Sequence, residues 1–378
     1  MMTCFKRYLV KSALAACISM VFAAARAQAV AGTLQGEAGA HWIRPAEKKD
    51  PAVWGIRGGI VFGLWPYGIE TGREATGGGP RGLIRVGYEF QGQVYMINFI
   101  AVEPVVNGQM EFSEISPSRV DGKWGKLMWA SDSEDPPPYH PSAISRGVIT
   151  HPDPERPEVE ELSVYIFMEQ FKNGAHPYLK VAVRSDRPEE LSLQIFNHEN
   201  SAVMDRCALT ATMGNYSRLR LLYLKDRAIH SAELYREYDD IHFVEKDSYP
   251  ASEFPRDGNG DYLVVASTDE SFEELASWPQ DPAYLARSNW RYRPFFKLTQ
   301  YWRKESAQAD PSLHARVNGR AYYWSGGSGE KSRYVKIPGG ASFENFELRE
   351  AYYPGQKFYF GLTRKEPADL ISTDYLKK

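Results

Sequence analysis

Residues 161–198 read ELSVYIFMEQFKNGAHPYLKVAVRSDRPEELSLQIFNH. Three alternating runs lie in this stretch: ELSVYIFMEQF (161–171), HPYLKVAVRS (176–185) and ELSLQIFNH (190–198). Apolar residues recur at every second position, the repeat of a strand with one face in a core. A turn around Asn173-Gly174 separates the first run from the second, and the third follows directly. Strands so closely spaced pair antiparallel.

The same texture extends in both directions. GLIRVGYEF (82–90) and QVYMINFIAVEPVV (93–106) flank Gln91-Gly92, a hairpin signal. SRLRLLYLK (217–225), DYLVVAST (261–268) and FFKLTQYWRK (295–304) are further strands. LHARVNGRAYYW (313–324) holds Asn318-Gly319 between two alternating runs, which predicts a tight hairpin there. SFENFELREAYY (342–353) and QKFYFGLTR (356–364) are joined by a Pro354-Gly355 turn. Helix signals are few: DESFEELASW (269–278) has a capping residue and acids in its first turn, and IHSAELYREYDD (229–240) is ambiguous. The fold class is therefore all-β with minor α: an antiparallel β-sandwich, or a large two-sheet β-supersandwich with few short helices.

The chain opens MMTCFKRYLVKSALAACISMVFAAARAQA, with Lys6, Arg7 and Lys11 before an apolar stretch and Ala25-Arg26-Ala27 after it. That is a secretory signal peptide, residues 1–27, too short in its apolar part for a membrane span of ~20 residues. The competing reading is a lipobox at Leu14-Ala15-Ala16-Cys17, with a lipid anchor on Cys17. Residues 28–378 form one large β domain, or two packed halves with a junction near 131–160, where SDSEDPPPYHPSAISRG (131–147) and THPDPERPEVEE (150–161) are rich in proline. The expected location is periplasmic or extracellular.

Loss of residues 1–27 removes four cations and no acid, so the formal charge moves from −3 to −7. A mildly acidic mature chain excludes a nucleic-acid binder of the ordinary basic kind. Only Cys207 of the three cysteines survives that cleavage, and its apolar neighbours mark it as a buried small hydrophobe. The histidines are scattered without HExxH or HxH spacing, so no metal site and no cofactor are expected. RDGNGDY (256–262) is half of a calcium loop, but Tyr262 and Thr268 stand where a glycine and a glutamate are needed, so it reads as a turn.

GGGPRGLIRVG (77–87) is followed by strand and lacks Gly-Lys-Ser/Thr, which rules out a phosphate-binding loop. It leaves Arg81 and Arg85 either as anion-binding groups or as partners of local glutamates. In SFENFELRE, Asn345, Glu347 and Arg349 share a strand face with Phe343, while Glu344, Phe346, Leu348 and Glu350 share the other. Glu344 and Glu347 are the candidate acid and base for glycoside cleavage, and Arg349 a substrate contact. His198 in FNHEN, with an ordinary imidazole pKa near neutrality, is a candidate base. Tyr216, Arg218 and Arg220 in GNYSRLR are the residue types that eliminate across a uronic acid: arginine neutralises the carboxylate and tyrosine moves the proton. Trp302, Arg303 and Trp324, with Trp290 nearby, are candidate sugar-stacking and acid-gripping residues.

These residue types point to an exported carbohydrate-active protein. The leading expectation is an enzyme that cleaves an acidic polysaccharide or oligosaccharide, as a polysaccharide lyase or a glycoside hydrolase. The alternative is a non-catalytic glycan-binding or structural protein of the cell envelope. For each candidate the plain structural reading stands beside the functional one: ion pairs across a sheet, a strand-end histidine, a core tryptophan.

Overall fold

Trp302 and Phe346 tie two β-sheets together: the Trp302 indole Nε1 donates to the Phe346 carbonyl at 2.9 Å. The structure, a computed structural model, describes residues 41–47, 50–64, 81–135, 145–212, 218–271, 290–292, 296–324 and 334–377. The chain divides into two units, Met1–Trp42 and Ile43–Lys378, and everything below concerns the second. The signal segment, the glycine run 77–80, Tyr216 and most of the predicted helix 269–278 lie outside the described residues.

The first sheet is built from β1 (Val53–Ile56), β2 (Ile60–Gly63), β3 (Leu83–Phe90), β4 (Gln93–Val106), β9 (Arg206–Thr212), β12 (Asp247–Pro250), β15 (His314–Arg320) and β16 (Ser342–Arg349). Its order is β1-β2-β3-β4-β9-β16-β15-β12. The second is built from β5 (Met128–Ser131), β6 (Glu161–Met168), β7 (Pro177–Arg184), β8 (Arg187–Asn197), β10 (Leu221–Tyr223), β11 (Ala228–His230), β13 (Tyr262–Ser267), β14 (Thr299–Lys304) and β17 (Gln356–Thr363). Its order is β11-β10-β13-β14-β17-β8-β7-β6-β5. All these neighbours pair antiparallel along both paths, and the helices are short, α1 (Ser231–Leu234) and α2 (Pro367–Leu370). The all-β sandwich predicted from the alternation is the fold observed.

The layer between the sheets is apolar where the periodicity says it should be. Trp302 is opposite Phe360 and Phe360 opposite Leu191, so Leu191, Leu193, Ile195, Phe358, Phe360 and Leu362 share one buried face. Burying a side chain of this size is worth about 1.5–3 kcal/mol. Polar side chains also link the sheets across this layer. Asn98 Nδ2 donates to Gln300 Oε1 at 2.8 Å, and Lys304 Nζ meets Glu350 Oε1 at 2.6 Å with both side chains fully buried.

Gln91-Gly92 turns β3 into β4 as predicted, with both residues at positive φ (53° and 82°). One turn reading is corrected and a second holds. Asn318-Gly319 is no hairpin: β15 runs straight through it with a bulge and pairs β16 along its length. Glycine is needed there for close approach, because a Cβ on Gly319 would lie 2.6 Å from the Tyr235 ring. Pro354-Gly355 does turn the chain, but it carries it from the first sheet (β16) to the second (β17). The ambiguous stretch 229–240 resolves into the end of β11 and the single turn of α1, capped by His230.

Candidate functional site

The parity of SFENFELRE decides the fate of its carboxylates. Glu347 and Arg349 lie on the face turned away from the second sheet, together with Glu103 and Thr210 of neighbouring strands. Glu344 sits at the bulge that breaks the β15–β16 register, 3.8 Å from Arg320, which shares its strand parity with Arg316, a partner of Glu347. Each glutamate is spent on its own cations, and both are no more than 1 % exposed.

Glu347 is fully buried in a cluster of its own. Its Oε2 accepts from Thr210 Oγ1 at 2.7 Å and from Lys246 Nζ at 2.8 Å. Its Oε1 faces Arg349 at 3.2 Å and Arg316 at 3.6 Å. Lys246 also reaches Glu103 at 3.7 Å. Burial works against the Glu347 charge, yet Lys246 and Arg349 together hold its carboxyl below the usual range. Glu103 goes the other way: burial first, then the Glu347 charge, push it up to about 7. Glu114 beside it is pushed up to about 8, mainly by burial. The pair splits into an acid and a base, but Glu103, Glu347 and Arg349 are each no more than 2 % exposed, so a polymer has no approach to them.

Several other candidates are spent on the fold. Trp302 is fully buried between the sheets, where no sugar can reach its ring. Arg81 forks onto Asp121 at 2.7 and 3.0 Å and grips the carbonyls of Lys123, Trp124 and Gly125. Arg85 is buried on β3 with its guanidinium 5.8 Å from the Phe99 ring centre. Arg218, at positive φ, pairs with buried Glu270, which Arg220 meets at 3.0 Å. Trp324 pairs its backbone with Tyr334, and its side chain lies outside the described residues. Cys207 is buried as expected. Asp261, in the half calcium loop, turns one carboxylate oxygen to Arg303 and the other to the Ser306 amide. Among the described residues no cluster of three or more His, Cys, Asp or Glu is placed to hold a metal.

Arg303 is the exception, because it lines open space. The outer face of the second sheet carries a groove of about 410 Å³, lined among others by Arg303, Tyr359, Lys357, Glu190, Asp261 and Glu305. A smaller depression of about 260 Å³ shares Arg303 and Glu190 with it. Strand register sets the pattern of this face. One row across the strands runs Arg303, Tyr359, Ser192, Ala182; the next runs Lys357, Gln194, Lys180, Tyr165; the next runs Phe196, Tyr178, Phe167, Trp129. The face grades from charged to aromatic over three rows.

The charged row is preorganised. Arg303 forks onto Glu190 at 2.7 and 2.9 Å, bonds Asp261 at 2.9 Å and stacks 3.7 Å over the Tyr359 ring. The Tyr359 hydroxyl donates to Glu305, and burial with that carboxylate holds the phenol protonated well above its usual range. Lys357 is half-buried beside it, without an ion-pair partner among the described residues. At the aromatic end the Phe167, Tyr178 and Phe196 rings stand 5.3 Å apart in sequence. His198 closes this ladder, 4.9 Å from Tyr178 and 4.0 Å from His176. Burial and His176 push its pKa down to about 4, so the neutral-range base expected from the sequence is corrected to an uncharged ring at neutral pH.

Sequence reasoning missed Tyr359, Lys357, Lys180 and Glu305, and on the other sheet Glu103 and Lys246. Glu103 had a visible signal, a lone acid in AVEPVV. Lys180, Lys357 and Tyr359 sit at alternate positions in their strands, on the faces the same parity assigns to solvent. No protein-family model, curated protein or solved structure matches this chain.

Proposed function

We propose that the protein is an exported carbohydrate-active protein that lays an acidic polysaccharide or oligosaccharide along the outer face of the second sheet. One observation carries the reading: Lys357, the paired Arg303 and the Tyr359 ring line one open groove on the sheet. Flat rings hold sugar faces and cations hold sugar carboxylates. The segment before residue 28 supports export.

Cleavage is the second step of the proposal, and the Tyr359–Glu305 pair favours it. In an elimination, the Glu305 carboxylate can take the proton from the carbon beside the uronate, the phenol can give its own to the leaving sugar oxygen, and Glu305 then returns its proton to the phenolate. Lys357, next to it on the strand face, is placed to offset a uronate charge.

The test is incubation of the purified protein with a panel of acidic and neutral polysaccharides. Reducing ends and the ultraviolet absorbance of unsaturated uronates are followed, with equilibrium binding in parallel. Rise of both signals means elimination; reducing ends alone mean hydrolysis; saturable binding with neither means recognition without cleavage. Lys357→Glu is expected to weaken acidic glycans and spare neutral ones. Absence of any glycan binding across the panel overturns the proposal.

A further inference from the structure

Residues 113–127 connect the first sheet to the second and form a loop braced by buried polar groups. The buried Glu169 carboxylate accepts from Ser118 Oγ at 3.0 Å and from the amides of Arg119, Val120 and Leu127 at 2.8, 3.1 and 2.7 Å. Asp121 is held by Arg81, and Lys126, 1 % exposed, donates to the Pro117 carbonyl at 2.8 Å. Ser118 and Lys123 close the loop backbone at 2.7 Å. A loop braced at this many points is fixed in shape before anything binds it.

What it shows to water is unusual for so rigid a segment. Trp124 is 72 % exposed, Val120 61 % and Ile115 51 %. Trp54, Trp129 and Trp302 are all buried. The charged side chains at the loop surface are Arg119 and Lys123; the one acid between them, Asp121, is already paired. Tryptophan, two aliphatics and two cations, with the acceptors turned inward, are the chemistry of a bilayer interface. The indole sits at headgroup depth, the aliphatics just below, and the cations meet anionic headgroups. A sugar site would keep carboxylates or amides free beside the ring for hydroxyls, and here those are spent.

We propose that this loop is a docking surface for an anionic lipid bilayer, with Trp124 as its anchor and Arg119 and Lys123 as its charge contacts. It is separate from the sheet groove and independent of the glycan reading.

The test is flotation of the purified protein with vesicles of phosphatidylcholine alone and of phosphatidylcholine mixed with phosphatidylglycerol. The mixed vesicles are expected to carry the protein upward and the neutral ones much less. Trp124→Ala should abolish flotation, and Lys123→Glu should weaken it roughly fivefold or more, an effect that added salt reproduces. Both sites are exposed, so an unchanged melting curve separates loss of binding from loss of fold. Failure to float with the anionic vesicles, or flotation that survives Trp124→Ala, overturns the proposal. So does a Trp124→Ala variant that loses glycan binding while wild type ignores vesicles, because the loop would then be a sugar platform.

Discussion

Glu103 and Glu347 share one ammonium: Lys246 Nζ stands 3.7 Å from the first and 2.8 Å from the second. Arg349 and Arg316 flank Glu347 as well, so Glu347 is held ionised, while burial and the Glu347 charge drive Glu103 toward its protonated form.

The contribution of Glu103 to stability should therefore fall as pH rises through the acid range. Below about pH 4.5 a glutamate carries its proton folded or unfolded. Between there and about pH 7, Glu103 keeps the proton only in the folded chain. The unfolded state binds fewer protons in that window, so the folded state loses on the order of 1–3 kcal/mol across it. Glu114, pushed up to about 8, extends the decline in the same direction. Urea unfolding of Glu103→Gln as a function of pH is expected to give a flatter curve than wild type. Identical slopes would show that Glu103 is ionised in the fold.

The interior ion pair between the sheets should be costly to break. Lys304 Nζ bonds Glu350, the Tyr353 hydroxyl and the Lys357 carbonyl, and Glu350 also accepts from Gln356 and the Asp310 amide. Lys304→Met leaves a buried carboxylate without its cation and should lose about 3–5 kcal/mol in denaturant titration. The double variant Lys304→Met/Glu350→Gln should recover part of that loss. If it is no more stable than the single variant, the uncompensated charge is not the cause.

Gly319 should be intolerant of even a methyl group. A Cβ there meets the Tyr235 ring at 2.6 Å and the Ser342 carbonyl at 3.0 Å. Gly319→Ala is expected to cost about 1–3 kcal/mol. In a Tyr235→Ala background the added cost should shrink, since the obstructing ring is gone. Strict additivity of the two losses would mean that the strain lies in the bulged backbone instead.

Alternation carried the fold because it reports burial directly. β4 spans the run QVYMINFIAVEPVV from end to end, β6 and β7 fall inside the first two runs of residues 161–198, and β8 starts three residues before the third. Turn dipeptides were a poorer guide. Asn318-Gly319 has hairpin chemistry, yet its glycine answers to Tyr235, a contact about eighty residues away in sequence. Strict parity puts Glu344 and Glu347 on opposite faces, but the bulge between Asn318 and Gly319 breaks the alternation at Glu344. The groove was less legible. Arg303 alone is one arginine among many; its meaning depends on Tyr359 and Glu190, which pairing brings beside it from distant strands.

Arg303→Lys is the sharpest separation of scaffold from site. Lysine keeps the charge but cannot fork onto Glu190, hold Asp261 and stack on Tyr359 at once. The loss of the bidentate pair should lower stability by about 1–2 kcal/mol. Released from its stack, Tyr359 would no longer be fixed against Glu305, and the groove would lose its preorganised wall. Binding of acidic glycans, measured by calorimetry, should weaken by about tenfold or more. Tyr359→Phe keeps the ring and removes only the hydroxyl, so it should leave binding near wild type while reducing any cleavage. Equal effects of the two variants on binding would place the sugar elsewhere than over Tyr359.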